Sequence, residues 1–286
     1  RILATAMWVK AQHPDRFVAL VTKDINLRMK AKAVGMEAQD YLTDRIEESR
    51  VEYTQNEVHI VTDMPQGKIQ SLAYGQDGID WKDVSPEEPR ANQLYKFRWE
   101  KGENSFCTCA RYSASSHKIV LVKERHAYGI SPRNDEQKFA LDACLNPEIR
   151  LVSLTGGAGT GKTLLALAAA LEQEKDYDQI ILSRPTVVLG NQEIGFLPGD
   201  QKSKMSPFIQ PLMDNLNVIR NSFKQGSRLA TRIDAMLDDE KLLISPLAYI
   251  RGRSLGNVYF IIDEAQNLTP HEVKTIITRA GEGTKM

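Results

Sequence analysis

The hydrophobic pattern near the N-terminus predicts a small α/β element. Residues 17–22 form a short apolar run typical of a buried strand, and 25–34 are predicted to form a helix ended by Gly35. A second short helix is expected over 38–48. Together these elements predict an αβα fragment of a small α/β domain.

The pattern changes over 50–120, where short runs rich in β-branched and aromatic residues are separated by glycines and prolines. Strands are predicted over 51–53, 57–61, 94–99 and 106–112. We therefore expect a small β module or an ordered linker. Cys107 and Cys109 face the same side of one predicted strand, and we interpret them as a pair of strand cysteines because the sequence offers no partners for a metal or redox site.

From about residue 130 the pattern alternates between helices and strands. Helices are predicted over 135–144 and 164–173, and strands over 149–155, 179–183 and 258–262. Such alternation is typical of a parallel sheet, because neighbouring parallel strands need a long crossover connection that is usually a helix. The predicted fold class is α/β.

The composition is that of a soluble globular protein, with 42% hydrophobic and 26% charged residues. No apolar run approaches the roughly 20 residues that a membrane helix needs, and no signal peptide is recognisable. Three cysteines (Cys107, Cys109 and Cys144) are too few and too unevenly spaced for a disulfide framework or a four-ligand zinc site. We therefore expect a cytoplasmic protein with no membrane partner.

The 37 basic and 37 acidic residues cancel in sum but are unevenly distributed. Basic residues outnumber acidic ones over 1–35, whereas acidic residues dominate over 36–110. Nucleic-acid binding depends on where charges lie, so a net charge of zero does not exclude it.

A phosphate-binding loop of the pattern G-x4-G-K-[ST] lies between an apolar run and an Ala/Leu-rich helix. Glycines let the backbone N–H groups approach phosphate oxygens, and the helix N-terminus adds partial positive charge. Lysine in this pattern neutralises the β- and γ-phosphates, and the final hydroxyl binds Mg²⁺. The loop consists of Gly156, Gly157, Ala158, Gly159, Thr160, Gly161, Lys162 and Thr163. The sequence thus predicts a nucleoside triphosphate site with Mg²⁺.

An acidic pair, Asp263 and Glu264, directly follows the predicted strand 258–262. Parallel strands present their carboxyl ends at one edge of the sheet, so this pair is expected beside the phosphate loop. Asp263 is then expected to hold Mg²⁺, and Glu264 to orient the attacking water. A helix N-cap is the alternative interpretation of an acidic pair after a strand.

Two glutamines are candidates for sensing the nucleotide. Gln266 lies two residues after Glu264, where its amide can sense the γ-phosphate. Gln137 lies near the start of the first predicted helix of this region. Its side-chain amide can form hydrogen bonds with both N6 and N7 of adenine. A solvated helix position is the equally weighted alternative for Gln137.

Six motifs in order resemble those of the PhoH-like (phosphate-starvation-inducible) ATPase family, which is related to superfamily 1 helicase motors. They are Gln137, 156–163, 183–186, 195–199, 251–253 and 263–267. The resemblance covers about 130–286 and implies a RecA-like sheet, RNA unwinding and closed homo-oligomeric rings. It also implies that Arg184, Pro185 and Thr186 touch the single strand.

Residues 1–45 resemble the last third of a PIN nuclease domain. The resemblance places Asp24 at the C-terminal metal-binding acid of that domain, although Asp24 is also well placed as a helix N-cap. Two-metal hydrolysis needs several carboxylates, and only Asp24 is matched. We therefore expect the chain to be a segment of a longer protein, truncated at both ends, that does not cut RNA through this site.

Basic residues offer further candidates for RNA contact. Arg220, Lys224, Arg228 and Arg232 recur every four residues, as on one helix face, although Gly226 interrupts them. They form either a solvated face or a track for the phosphates of single-stranded RNA. Three interpretations of Arg251 and Arg253 are open. The two side chains contact RNA, they reach the ATP of a neighbouring subunit, or they pair with nearby carboxylates.

We therefore predict three regions: the C-terminal part of a PIN-like domain over 1–48, a β-rich connector over 49–125, and an incomplete PhoH-like ATPase domain over 126–286. The predicted function is Mg²⁺-dependent ATP hydrolysis coupled to binding and unwinding of RNA, with Lys162 and Glu264 as catalytic residues. One alternative is a P-loop kinase of a small molecule. The other is a nucleotide-gated RNA-binding module with little turnover.

Overall fold

The computed structural model describes residues 2–22, 25–39, 58–73, 78–101, 104–185, 201–224, 226–247, 250 and 255–286. The helices are α1 (Ile2–Gln12), α2 (Ile25–Ala33), α3 (Gln66–Ala73), α4 (Asp135–Leu145), α5 (Lys162–Glu172), α6 (Gln201–Asn221), α7 (Arg228–Asp238) and α8 (Pro270–Ile277). The strands are β1 (Ala19–Val21), β2 (Glu37–Gln39), β3 (His59–Val61), β4 (Ile79–Asp80), β5 (Leu94–Lys101), β6 (Asn104–Ser113), β7 (Lys118–Leu121), β8 (Gln179–Arg184), β9 (Leu242–Pro246) and β10 (Val258–Ile262).

The chain divides into two compact units. The first comprises Arg1–Tyr53 and Pro270–Val273, and the second comprises Thr54–Thr269 and Lys274–Met286. The predicted α/β class is confirmed. The boundaries predicted at 48 and 125 stay predictions.

In the first unit, α2 connects two parallel strands. β1 pairs with β2, and Ala31 of α2 is buried with Met36 and Ala38 in a small core. The predicted strand and helix near the N-terminus are confirmed, and Gly35 ends the helix with a φ of 72°, which a glycine adopts readily.

The helix predicted over 38–48 is wrong where the structure describes it. Ala38 lies in β2, buried between exposed neighbours on either side, and pairs with Leu20. The parallel partner β1 decides the conformation, because the backbone of β2 forms its hydrogen bonds with β1 instead of within a helix. The side chains of β2 then alternate between buried and exposed. The remainder of 38–48 lies outside the described residues.

A five-stranded sheet in the order β3-β5-β6-β7-β4 follows. β3 is parallel to β5, and the other pairings are antiparallel. One face of the sheet packs Tyr95, Phe97 and Ile119 against Ile69 and Leu72 of α3. The predicted strands over 57–61, 94–99 and 106–112 are confirmed, with small shifts at their ends, whereas 51–53 lies outside the described residues.

The third sheet is fully parallel, in the order β10-β8-β9. Helix α5 runs through the middle of its core, and every residue from Leu167 to Leu171 is completely shielded from solvent. A helix buried on all sides needs apolar residues at consecutive positions, which its Ala/Leu run supplies. The predictions for α4, α5, β8 and β10 are confirmed.

The buried strand predicted over 149–155 is wrong. Within the part of the chain that the structure describes, its backbone pairs across to Met286: Val152 N donates to Met286 O at 2.9 Å, and Met286 N donates to Arg150 O at 2.8 Å. Ile149 N instead donates to Asn146 O at 3.2 Å, three residues earlier in the chain. Leu151 is 60% exposed. A strand needs a partner along its length, and a single facing residue does not provide one. The extended backbone nevertheless leads directly into the phosphate loop.

Within the described residues, no helix is both long and apolar enough to cross a membrane.

Candidate nucleotide site

The phosphate loop owes its shape to three glycines. Gly156, Gly159 and Gly161 have φ values of 150°, 74° and 82°, a region in which residues with a Cβ are strained. Gly161 is the N-cap of α5, and the helix begins at Lys162. The loop therefore wraps around the N-terminus of a helix that is buried for most of its length.

The loop turns its backbone outward. A Cβ added at Gly157 or Gly159 would meet no protein atom within 4 Å, so the backbone is open to approach at both positions. Lys162 Nζ donates to Gly156 O and to Gly157 O, both at 2.8 Å, and Thr160 Oγ1 donates to Gly157 O at 2.9 Å. The ammonium group thus lies over the loop, where phosphate oxygens would approach.

Thr163 and Asp263 meet at the carboxyl edge of the parallel sheet. Thr163 Oγ1 donates to Asp263 Oδ1 at 2.6 Å. Asp263 directly follows β10, and its backbone N–H donates to Ser183 O of the neighbouring β8 at 2.8 Å. A hydroxyl beside a carboxylate is a donor set that suits Mg²⁺, which prefers oxygen ligands. The two side chains therefore fit the cation that the sequence predicts.

Glu264 has an unusual backbone conformation. Its φ of 52° and ψ of 40° are left-handed, which costs a residue with a Cβ about 1–2 kcal/mol. The bend turns the chain away from β10 into a short 3₁₀ turn, Ala265–Asn267, and Gln266 Nε2 donates to Glu264 Oε2. Strain of this kind often occurs at functional sites.

Arg184 bridges the acidic pair. It ends β8, and its guanidinium lies 3.8 Å from Asp263 Oδ2 and 3.6 Å from Glu264 Oε1. Every carboxylate oxygen of the pair then has a protein partner: Thr163 and Arg184 for Asp263, and Arg184 and Gln266 for Glu264. The sequence motifs did not indicate this arginine–carboxylate contact, although the ends of neighbouring parallel strands are where it could have been sought.

Gln137 lies against the phosphate loop. Its Nε2 donates to Thr160 O at 3.1 Å, and its Oε1 accepts from Arg133 N at 2.8 Å. Asn134 caps α4 by accepting from Gln137 N at 2.8 Å. The contact with Thr160 speaks against the interpretation of Gln137 as a merely solvated helix position. Whether Gln137 binds adenine stays a prediction.

The basic stripe, as we call Arg220, Lys224, Arg228 and Arg232, does not lie on one helix face. Helix α6 ends at Asn221 and α7 begins at Arg228, with Gly226 in a left-handed conformation (φ 76°) between them. Residues four apart share a face only within one continuous helix, so the four residues do not share a face. The interruption that Gly226 suggested is confirmed.

The four side chains of the stripe also differ in their partners. Arg220 pairs with Asp234 at 2.8 Å, and Arg232 pairs with Glu174 at 3.1 Å. Among the ion pairs between described residues, neither Lys224 nor Arg228 takes part, and both side chains are exposed.

Of the other predicted contacts, Pro185 is buried at the end of β8 beside Arg184. Asp24, Thr186, Arg251 and Arg253 lie outside the described residues, as does the 195–199 motif. Of the residues that the structure describes, no three His, Cys, Asp or Glu side chains form a metal-binding group. A phosphate-loop Mg²⁺ does not need such a group, because phosphate and water oxygens complete its coordination.

Comparison with known families gives two matches. The family model described as PhoH-like protein matches residues 129–286, and the one described as PIN domain matches residues 1–42. The first match contains the phosphate loop, the acidic pair and Gln137.

Curated relatives are similar over the whole chain. Protein PhoH2 of Bacillus subtilis (strain 168) is 39% identical over 295 residues, covering 100% of this chain and 64% of the relative. Protein PhoH2 of Mycolicibacterium smegmatis is 34% identical over 294 residues, covering 100% of this chain and 61% of the relative. Protein PhoH2 of Thermobispora bispora is 31% identical, with coverages of 100% and 61%. The chain thus spans just over three fifths of the length of these relatives.

Proposed function

The chain belongs to the PhoH-like protein family, a family of P-loop ATPase type, and we propose that it binds ATP with Mg²⁺, hydrolyses it and couples hydrolysis to single-stranded RNA. The observation that carries this proposal is the hydrogen bond between Thr163 and Asp263, because it joins an open phosphate loop to a carboxylate at the carboxyl edge of the sheet. That edge is where doubly wound α/β sheets bind nucleotides.

The loop and its lysine bind the phosphates. The backbone N–H groups of 156–163 and the N-terminus of α5 attract phosphate oxygens, and Lys162 exchanges its carbonyl contacts at Gly156 and Gly157 for them. Lysine is suited to this exchange because its ammonium is a compact charge on a flexible stem.

Thr163 would hold Mg²⁺ through its hydroxyl, and Asp263 would hold it through its water shell. The cation would supply positive charge that neutralises the phosphates. Asp263 is only 14% exposed, so its carboxylate acts in surroundings where charge interactions are stronger than in water.

Glu264 orients the attacking water. Its left-handed backbone turns the side chain at the end of β10, and its two oxygens contact Arg184 and Gln266. Each carboxylate oxygen can accept more than one hydrogen bond, so Glu264 can accept from water while it keeps its contact with Gln266. Gln266 is therefore placed to relay a change at this carboxylate.

Arg184 links the nucleotide site to RNA. Its side chain is 28% exposed, and its guanidinium bridges the acidic pair. Lys224 and Arg228 provide exposed cations for backbone phosphates, together with the predicted contacts at Pro185, Thr186, Arg251 and Arg253. Family membership adds two further parts to the proposal. One is a ring of identical subunits. The other is PIN ribonuclease activity in a full-length form, with Asp24 as a metal ligand.

The test is the rate of phosphate release from MgATP, with and without single-stranded RNA. A motor is stimulated by RNA, and its RNA affinity falls steeply as salt rises. ATP binding with negligible release under both conditions would support the low-turnover binding module instead.

A further inference from the structure

Helix α4 lies between the five-stranded sheet and the core of the phosphate-loop region. Phe139 is buried with Cys109 and Val122 on the sheet side, whereas Leu141 and Cys144 belong to the core around α5. Side chains alternate along β5 and β6, so the face that meets α4 is the one opposite the Tyr95–Phe97 core. A shift of the sheet would therefore be transmitted to α4.

The first turn of α4 is fixed to this face by one lysine. Lys96 Nζ lies 3.1 Å from Asp135 Oδ2 and 3.0 Å from Glu136 Oε1, and the Lys96 side chain is only 14% exposed. The hydrogen bond from Lys96 lowers the pKa of Glu136. Burial alone would lower the pKa of Lys96, but the hydrogen bonds to the two carboxylates outweigh it and raise that pKa. Lys96 therefore stabilises both carboxylates, which would otherwise repel each other.

Gln137 immediately follows these two acids. Its amide is held at both ends, by Arg133 N at 2.8 Å and by Thr160 O at 3.1 Å. The same turn of helix thus carries the ion pairs to the sheet and the amide on the phosphate loop.

We propose that Lys96 is a positioning residue for nucleotide recognition: it holds the first turn of α4 so that the Gln137 amide faces the base of ATP. The inference rests on the proposed nucleotide binding and adds the five-stranded sheet to the site. Lys96 itself touches no phosphate-loop atom in this arrangement. Its effect is confined to the orientation of Gln137, and thus to the adenine part of the ligand.

A lysine ion pair next to the five-stranded sheet provides a control. Lys68 of α3 pairs with Asp83 at 2.7 Å, with side-chain exposures of 48% and 42%, and no hydrogen bond or ion pair between described residues joins the Lys68 side chain to α4 or the loop. Replacing Lys68 removes a charge and an ion pair from the same part of the chain without touching the first turn of α4.

The experiment measures the affinities of K96M, K96R, K68M and the unchanged chain for ATP, GTP and inorganic tripolyphosphate, all with Mg²⁺. In K96M we expect ATP affinity to fall about three- to tenfold, the loss of roughly one oriented hydrogen bond. Tripolyphosphate affinity is expected to stay unchanged because it has no base. GTP affinity is also expected to stay unchanged, because guanine offers two acceptors where adenine offers a donor and an acceptor. K96R keeps the cation and should restore ATP binding, and K68M should match the unchanged chain.

A double-mutant cycle completes the test. If Lys96 acts through Gln137, then K96M adds little to the loss already caused by Q137A. Equal losses of ATP and tripolyphosphate affinity in K96M would overturn the proposal, as would a fall in melting temperature with no change in the ratio of the two affinities. If the unchanged chain bound tripolyphosphate but showed no preference for ATP over GTP, Lys96 would have no base recognition to position and the inference alone would fail. If it bound neither ligand, the proposed function would fail as well.

Discussion

Thr163 Oγ1 donates a 2.6 Å hydrogen bond to Asp263 Oδ1, although the two residues lie 100 positions apart in the chain. Thr163 stands in the first turn of α5, and Asp263 follows the last residue of β10. Helix α5 packs against β10 and β8 in one core, and these two strands are adjacent and parallel. The carboxyl end of β10 therefore lies beside the first turn of α5. This hydrogen bond therefore joins the phosphate-loop helix to the acidic pair, and it forms only because the sheet topology places them side by side.

Removing the Thr163 hydroxyl should impair metal-dependent nucleotide binding. In T163A we expect the affinity for ATP with Mg²⁺ to fall about 10- to 100-fold, the range typical when a metal site loses a supporting group. Affinity measured with EDTA in place of Mg²⁺ should change little. T163S, which keeps the hydroxyl, is the control, and calorimetric titration of both variants is the measurement. An equal loss with and without Mg²⁺ would show that Thr163 does not act through the metal.

Neutralising Glu264 should separate binding from hydrolysis. In E264Q we expect the rate of phosphate release to fall about 10²- to 10⁴-fold, because the group that orients and polarises water is lost. ATP affinity should remain close to that of the unchanged chain. The measurement is phosphate release at saturating ATP, alongside a binding titration.

The same variant tests the kinase alternative. Loss of phosphate release together with intact transfer of phosphate to a small acceptor would contradict the hydrolase proposal. E272Q is a suitable control, because it neutralises a glutamate in the first turn of α8 and lies outside the acidic pair.

Removing the Arg184 guanidinium should strengthen cation binding in the absence of nucleotide. Arg184 lies within 4 Å of one oxygen of Asp263 and one of Glu264, so it competes electrostatically with a divalent cation for the pair. In R184M we expect the affinity for Mn²⁺, used as a spectroscopic probe, to rise about fivefold, equivalent to roughly 1 kcal/mol. R150M is the control, since Arg150 contacts the backbone of Gly283 instead of the acidic pair. Unchanged or weaker Mn²⁺ binding in R184M would contradict the competition.

Two members of the basic stripe should bind RNA more strongly than the other two. Lys224 and Arg228 are exposed and outside the ion pairs of the described residues, whereas Arg220 and Arg232 are engaged by Asp234 and Glu174. We expect K224A and R228A each to reduce the dependence of log affinity on log salt by about 0.7, the value for one phosphate contact with a single strand. R220A and R232A should change it less. The measurement is RNA affinity across a salt series, and equal effects of all four substitutions would contradict the distinction.

Lys285 should make the stability of the fold depend on alkaline pH. The side chain is 1% exposed, and its Nζ donates to Ala143 O at 2.9 Å and to Asn146 O at 2.7 Å, at the C-terminal end of α4. Burial lowers the pKa of Lys285 to about 8, below the ordinary value of 10.5. Between these two pH values the unfolded chain binds more protons than the folded chain, so stability rises as the pH rises through this window.

The test compares the unchanged chain with K285M, because other groups titrate in the same window and cancel in the difference. From pH 8 to pH 10.5 we expect the free energy of unfolding of the unchanged chain to rise relative to K285M by up to about 3 kcal/mol. Below pH 8 the difference should be constant. Denaturant unfolding at a series of pH values is the measurement, and a difference that is flat up to pH 10.5 would contradict the buried-lysine argument.

The sequence by itself determined the local features of this protein. The Ala/Leu run of α5 predicts a helix buried on all sides, and the apolar run of β10 predicts a buried strand, because each pattern is complete within one segment. The G-x4-G-K-[ST] spacing likewise identifies the phosphate loop, because its conformation depends on glycines at fixed offsets. The acidic pair was identified from its place at the end of a strand.

Tertiary structure decided whatever depends on partners far away in the chain. Ala38 lies in a strand because β1 lies beside it, and 149–155 forms no regular strand because, among the described residues, its backbone pairs across to Met286 and to no longer segment. The bridge from Arg184 to the acidic pair and the ion pairs of Lys96 with α4 join segments with no shared sequence pattern. Hydrogen bonds and ion pairs act over a few ångströms in space, so residues distant in sequence interact only once the fold has brought them together.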